Sequence, residues 1–178
     1  MSLFWINGGK MIKSKGWDWK IVKDDKDCPW KIPSVESYYL LNRWENLNFK
    51  NFLDLGCGLG RHTVLFAENG FNVSGFDISK EGIKKTKEWL KNLDLKADLK
   101  VGDMLELPYE NEFFDCILCR NVISHQDTEG VKQIIKELYR VLKNNGECYL
   151  TLGSKSTWGF KQDSWPLVDE NTRLRMEE

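Results

Sequence analysis

Three glycines and three acids carry the chemistry that this sequence makes available. In Phe52-Leu53-Asp54-Leu55-Gly56-Cys57-Gly58-Leu59-Gly60-Arg61-His62-Thr63, a short apolar run is cut off by glycines at alternate positions. Glycine lets a chain turn with positive φ and lets backbone approach a ligand closely. An acid, Asp77, closes the next apolar run, Asn72 to Asp77. That is about the distance, roughly 20 residues on, at which a dinucleotide-binding unit places a carboxylate for ribose hydroxyls. A third acid, Asp103, follows Gly102 at the end of another short run. Glycine turn and ribose acid together suit a ligand built on a nucleoside. An isolated glycine turn in an ordinary αβ unit is the plainer alternative, and Asp77 alone could be a helix cap or a surface acid.

The elements that must position these groups follow from periodicity. Phe52 to Leu55 reads as a buried strand, and Val64, Leu65, Phe66 and Ala67 as a helix after the glycines, with Asn69-Gly70 ending it. Strand, glycine turn and helix make half of a nucleotide-binding α/β unit, with helix amides facing the ligand. Ser79 opens a second helix, with Ile83, Leu90 and Leu93 at helical spacing and Trp89 widening the stripe. Its lysine-rich opposite face reads as a solvated surface. Asp98 to Val101 is a third strand, and Leu107-Pro108 stops any regular element. Phe113 to Cys119 is a fourth strand, apolar except for Asp115, as in a strand covered on both faces. Asp127 can cap a helix carrying Val131, Ile134, Ile135, Leu138, Val141 and Leu142. That helix is expected to end at Asn144-Asn145-Gly146, and Glu147 to Leu152 to form a fifth strand. The remaining tail, with Trp158 and Trp165-Pro166, reads as loop. Before the first strand, Ser34 caps a helix whose apolar stripe is Leu40, Trp44 and Leu47, with Tyr38, Leu41 and Glu45 to one side.

The ordered set resembles the class I S-adenosylmethionine-dependent methyltransferases. The resemblance rests on Asp54-Leu55-Gly56-Cys57-Gly58-Leu59-Gly60, on Asp77, and on Gly102-Asp103-Met104. It continues through Phe114-Asp115-Cys116-Ile117-Leu118 and Arg140-Val141-Leu142-Lys143-Asn144-Asn145-Gly146-Glu147, covering roughly residues 50 to 152. It implies an α/β fold, a doubly wound, Rossmann-like, mostly parallel sheet of order 3-2-1-4-5, here without the usual last two strands. It also implies S-adenosyl-L-methionine as cofactor. The donor would be held by Asp54, Gly56, Cys57, Gly58, Gly60, Arg61, Asp77, Ile78, Asp103, Met104, Cys119 and Arg120. In this picture Asp77 serves the ribose and Asp103 the adenine amino group. His125, in the loop after the fourth strand, is the candidate proton acceptor, with a structural role in that loop as its alternative. Trp19, Trp30, Tyr38 and Tyr39 are candidates for lining the acceptor pocket, with plain cover of the sheet edge as theirs.

Bulk properties narrow the field. The chain has 178 residues, 41% hydrophobic and 30% charged, with net charge −1. That length suits one domain: an aromatic arm or lid at 1–33, a binding domain at 34–152 and an aromatic tail at 153–178. No basic footprint for nucleic acid is present, so a small-molecule acceptor is expected. No long apolar run suggests a membrane span or signal peptide, so cytoplasmic residence is expected. The five cysteines show no disulfide framework. Cys116-x-x-Cys119 falls on a strand, where positions three apart point to opposite faces, so no metal is expected there. No carboxylate cluster suggests one elsewhere. A nicotinamide dehydrogenase is the rival enzyme class, but it needs G-x-G-x-x-G and a substrate domain. A non-catalytic cofactor-binding or interaction module is the other rival. The apolar fifth strand, left at the sheet edge, is expected to be covered by arm, tail or a second copy of the chain, making a homodimer through that edge or tail possible.

Overall fold

The computed structural model describes residues 14, 16–22, 28–157 and 160–173. Helix α1 (Val35–Asn46) precedes strand β1 (Asn51–Leu55), after which come α2 (Arg61–Glu68), β2 (Asn72–Asp77), α3 (Lys80–Asn92) and β3 (Asp98–Val101). Then follow β4 (Phe114–Cys119), α4 (Thr128–Val141) and β5 (Leu142–Leu150), and last the short strands β6 (Leu167–Asp169) and β7 (Thr172–Arg173). The main sheet has order β3-β2-β1-β4-β5 with every pairing parallel. Such a sheet brings the carboxyl ends of β1, β2 and β4 together, and its order reverses between β1 and β4.

Period-two alternation sends neighbouring side chains of the central strands into two cores. Leu53, Leu55, Ile117 and Cys119 join Ile134, Leu138 and Val141 of α4 on one face. Phe52, Cys116 and Leu118 join Leu40, Leu41 and Trp44 of α1 and Leu65 and Phe66 of α2 on the other. Cys116 and Cys119 therefore lie in different layers, as the strand periodicity requires. Trp44 is fully buried, and its ring meets Phe52 and Phe66 at 5.9 and 5.6 Å between centroids. Its indole N–H donates to Glu147 Oε2 at 2.9 Å, and Arg43 Nε donates to the same oxygen at 2.8 Å, tying α1 to β5. Between β3 and β4 no helix intervenes. Arg140 of α4 holds that connection by donating to the carbonyls of Tyr109 (2.7 Å) and Leu107 (2.8 Å), while Glu137 accepts from the Leu107 N–H.

Three expectations need correction. On α1, Leu41 is buried with Leu40 and Trp44, whereas Leu47 lies past the last helical turn and is 43% exposed. The packed face is thus Ser37, Leu40, Leu41 and Trp44. The fifth strand begins at Leu142 and ends at Leu150, leaving Leu152 outside it. Leu142 already pairs with Phe114, and Asn144-Asn145-Gly146 then bulges out, so that Glu147 pairs with Cys116. Asn145 adopts φ 65°, the left-handed region that asparagine tolerates. The tail, read as loop, contains the β6–β7 hairpin. Asp169 makes that hairpin's turn, accepting from Asn171 N–H through Oδ1, and docks it by accepting from the Thr128 N–H at the start of α4 through Oδ2.

Candidate functional site

The turn after β1 is fastened from three sides. Gly56 and Cys57 N–H both donate to the Phe76 carbonyl, at 2.7 and 3.2 Å, and Gly58 N–H donates to Asp77 Oδ2 at 2.8 Å. Asp77 Oδ1 accepts from Ser79 N–H at 2.7 Å, so one carboxylate joins the ends of β1 and β2. Gly56, Gly58 and Gly60 all have positive φ. At Gly58 a Cβ would also lie 2.6 Å from the Trp19 ring, and at Gly56 one would lie 2.3 Å from a Val122 methyl. These two glycines are thus required by the protein's own packing as well as by the turn. Val122 belongs to the loop after β4 and Trp19 to the N-terminal arm, so both segments close on the glycine turn.

Asp54 is placed differently from the ligand-facing role that the resemblance suggests. It is buried, and its Oδ2 accepts from both the backbone N–H and the hydroxyl of Thr63, at 2.8 and 2.7 Å. Burial pushes its carboxyl up to about 6 despite those bonds. Asp54 braces the start of α2 from inside the turn. Cys57 is likewise turned inward and its thiol is raised well above the usual range by burial.

His62 is the second residue of α2. It is buried, and Nε2 accepts from the Ser34 backbone N–H at 3.3 Å. The proton of the neutral ring then sits on Nδ1, which faces Asp54 Oδ1 at 3.9 Å. Burial first, then Arg61 and Arg120, depress its pKa to about 3. His62 thereby links the cap of α1 to the glycine turn. Its partner lies 28 positions away, so no local signal announces it. The same holds for Thr86, whose hydroxyl donates to the Gly58 carbonyl at 3.0 Å.

The remaining residues group around this turn or stand apart from it. Ile78 follows Asp77, and a Cβ on Gly16 would lie 2.8 Å from its methyl, so the arm crosses the end of β2 there. Further along the carboxyl edge, Gln126 donates through its side chain to Ser14 Oγ, a second point at which arm and loop meet. Asp103 Oδ1 accepts from Leu105 N–H at 3.1 Å, and Met104 packs against the α4-side core. Cys119 is buried at the end of β4, and its carbonyl accepts from Thr151 N–H at 3.1 Å. His125 ends a 3-10 turn, Ile123–His125, with its side chain exposed. Trp19 and Trp30 meet edge to face at 5.6 Å, with Trp17 against both. Tyr38 and Tyr39 stand on the exposed side of α1, 52% and 68% accessible.

Two acids at this edge keep hydrogen-bonding capacity beyond their own turns. Asp77 spends one hydrogen bond per oxygen on the backbone, and a carboxylate offers about four lone-pair sites, which leaves it capacity for ribose hydroxyls. Asp103 has one oxygen engaged in its own turn, and its other oxygen has no hydrogen bond among the described residues. Among the described residues, no group of three or more histidine, cysteine or acidic side chains is arranged to hold a metal.

A doubly wound parallel sheet with a glycine turn at its switch point and an acid at the end of β2 defines a nucleoside-binding Rossmann-like domain. A family profile described as Methyltransferase domain matches residues 52–146. The chain belongs to the class I S-adenosylmethionine-dependent methyltransferases, whose cofactor is S-adenosyl-L-methionine. It is 38% identical over 96 residues to norajmaline N-methyltransferase of Rauvolfia serpentina, covering 52% of this chain and 32% of that one. It is 31% identical over 120 residues to the ubiquinone biosynthesis O-methyltransferase of Rickettsia typhi, covering 65% and 48%. Among solved structures, a Pyrococcus horikoshii OT3 protein superposes with TM-score 0.56 at 31% identity over 67% of this chain and 59% of that chain. A SAM-dependent methyltransferase of Methanosarcina mazei gives TM-score 0.53 at 32% identity over 56% and 50%. The matched part of the chain spans only 32% to 54% of the length of such curated relatives.

Proposed function

We propose that this chain binds S-adenosylmethionine along the carboxyl ends of β1, β2 and β4 and moves its methyl group to a small-molecule acceptor. The observation that carries this is the Asp77 carboxylate, fixed by Gly58 and Ser79 amides beside the glycine turn. Asp77 receives the ribose hydroxyls and Asp103 the adenine amino group. Ile78 and Met104 flank the ring, a thioether against an aromatic base being a favourable contact. Gly56, Gly58, Gly60 and the backbone of Cys119 and Arg120 border the amino-acid end. When bound, the cofactor supplies an electrophilic methyl on a sulfonium with a good leaving group. The protein's part is then to orient the acceptor, exclude water and, where the acceptor carries a proton, receive it. His125 is the proton acceptor of this reading, and Trp19, Trp30, Tyr38 and Tyr39 supply the apolar wall of the acceptor side.

A small-molecule acceptor is supported by the near-neutral charge and by relatives whose names refer to an alkaloid and a quinone. No helix among the described residues is long and apolar enough to cross a membrane, in keeping with an acceptor met in the cytoplasm. Calorimetric titration with S-adenosylhomocysteine tests donor binding: micromolar affinity is expected in the parent chain. Asp77→Ala should weaken it by about 1–3 kcal/mol, the loss expected for hydrogen bonds to a charged group. Unchanged affinity in that variant rules out the ribose role. A metabolite screen for methyl transfer separates an enzyme from a binding module: donor binding without turnover on any acceptor favours the module. Where turnover is found, His125→Gln should lower kcat about 10²- to 10⁴-fold with donor affinity kept.

A further inference from the structure

The loop after β4 is bent and held in a way that the sheet alone does not require. Arg120 is the first residue past β4, and Thr151 the first past β5. Thr151 grips that loop on both sides of Arg120. Its N–H donates to the Cys119 carbonyl at 3.1 Å, and its Oγ1 accepts from the Asn121 N–H at 2.7 Å. The same hydroxyl gives its own proton to Asn121 Oδ1 at 3.1 Å. Asn121 makes the bend, at φ 58°, in the left-handed region. Outside glycine that conformation carries a cost, smallest for asparagine and aspartate, and residues held in it gather at ligand sites.

The bend decides what faces the crevice. Val122 comes to rest on Gly56, and Ile123 is fully buried, so the loop cannot shift without unpacking both. Asn121 is thus pinned by its backbone, by its carboxamide oxygen and by the residues that follow it. Its side chain is exposed nonetheless, and its NH2 group makes no hydrogen bond among the described residues. With Oδ1 turned to Thr151, on the β5 side, that NH2 is directed away from β5. The exposed His125 lies further along the same loop. A residue needed only to turn the chain is served by glycine, which takes the left-handed region freely. Asparagine held in this way adds an oriented hydrogen-bond donor.

We infer that Asn121 determines acceptor specificity: its NH2 donates a hydrogen bond to a hydroxyl oxygen of the acceptor, the atom that is methylated, and Thr151 is the positioning residue that aims it. This rests on the reading of the crevice given above and names the acceptor's reacting atom. The chemistry separates oxygen from nitrogen. A hydroxyl oxygen has two lone pairs, one to accept from Asn121 and one to attack the methyl carbon. A neutral amine has a single lone pair, which a hydrogen bond from Asn121 would withdraw from attack. In the transfer an oxygen lone pair forms the O–C bond and the C–S bond breaks with its electrons staying on sulfur. The hydroxyl proton passes to His125, leaving a methyl ether and S-adenosylhomocysteine.

The test uses the full chain saturated with S-adenosylhomocysteine and two probes that differ by one hydroxyl, phenol and toluene, followed by ligand-observed NMR. In Asn121→Gly, which keeps the left-handed bend, the ratio of phenol to toluene affinity should fall about 5- to 10-fold, the worth of one hydrogen bond. Thr151→Val leaves Asn121 in place but unaimed, and should lower the same ratio. Thr151→Ser restores the hydroxyl and should keep the parent's ratio, which a role in packing alone would not predict. Calorimetry should show S-adenosylhomocysteine bound as tightly by Asn121→Gly as by the parent, so that a collapsed crevice is not mistaken for a lost donor. An unchanged ratio in Asn121→Gly or in Thr151→Val overturns the inference, as does a saturated parent chain that takes up no phenol. Aniline showing the same loss as phenol overturns the choice of oxygen. A parent chain that does not bind S-adenosylhomocysteine is a different result: it strikes the donor-crevice reading itself.

Discussion

At the scale of single residues, the buried Asp54 and His62 give the turn a pH signature. His62 has its folded pKa depressed from 6.5 to about 3. The unfolded chain therefore takes up a proton that the folded one refuses, and stability is lost as pH falls from about 6.5 toward 3. Asp54 has its folded pKa raised from 3.8 to about 6, so it works the other way, favouring the fold as pH falls through that window. The histidine shift is the larger, so it sets the sign for the pair. Urea melts at pH 7 and pH 5 should show His62→Gln losing less stability between the two than the parent does, by roughly 1–2 kcal/mol. An equal loss in both proteins excludes this role. None of it was legible in the sequence, because the Ser34 contact that fixes the ring joins segments far apart along the chain. The place of Asp77 at the end of β2, in contrast, was legible, because the acid closes a short apolar run.

At the scale of elements, legibility tracked how much of an element's pattern is local. β1, β2 and β3 were readable to within a residue because each is a short run bounded by glycine, asparagine or acid. The change from α4 to β5 was not, because Val141 and Leu142 continue the helix's apolar spacing. Only the pairing of Leu142 with Phe114 shows that the chain has already become strand. The β6–β7 hairpin was missed for a related reason. Its strands are too short for alternation to register, and Asp169 seats it through the helix N-terminus rather than through an apolar face. Asp169→Ala should thus free the hairpin and uncap Thr128, costing about 0.5–2 kcal/mol. Hydrogen exchange should show faster exchange at the first turn of α4, while β1 stays protected. The α1 clamp offers a second check. Glu147→Gln, leaving Arg43 without its ionic partner and weakening the Trp44 contact, should lower the urea midpoint. An unchanged midpoint would show that aromatic packing alone seats α1.

At the scale of the whole molecule, both outer strands of the sheet, β3 and β5, are paired on one side only among the described residues, and β5 is the longer. β5 bonds to β4 alone among the described residues, and the hairpin that follows sits at the start of α4 instead of alongside. Open edges with apolar side chains invite pairing. Sedimentation equilibrium should therefore detect association at high concentration. A lysine at Tyr149, which packs against the α1-side core, should weaken the fold as well as the contact. Thr151→Pro, just past the strand, is no better because its N–H bonds Cys119. The informative measurement is consequently exchange protection of the β5 amides as a function of protein concentration. Protection that does not change with concentration, in a clean monomer, sets association aside.

The burial of the thiols has a practical corollary. Cys28, Cys57, Cys116 and Cys119 are buried; burial pushes up the thiols of Cys57, Cys116 and Cys119 and that of the half-buried Cys148, the last to about 12, so none of these four offers a ready thiolate at neutral pH. Alkylation of the native protein must then wait for the structure to open, which turns each cysteine into a clock for its own neighbourhood. Cys28 times the arm, Cys57 the glycine turn, and Cys116 and Cys119 the two layers on either side of the sheet. A nucleoside that grips the turn should slow the Cys57 clock while leaving Cys116 close to its original rate. Ligands can thus be screened by mass spectrometry before any acceptor is known.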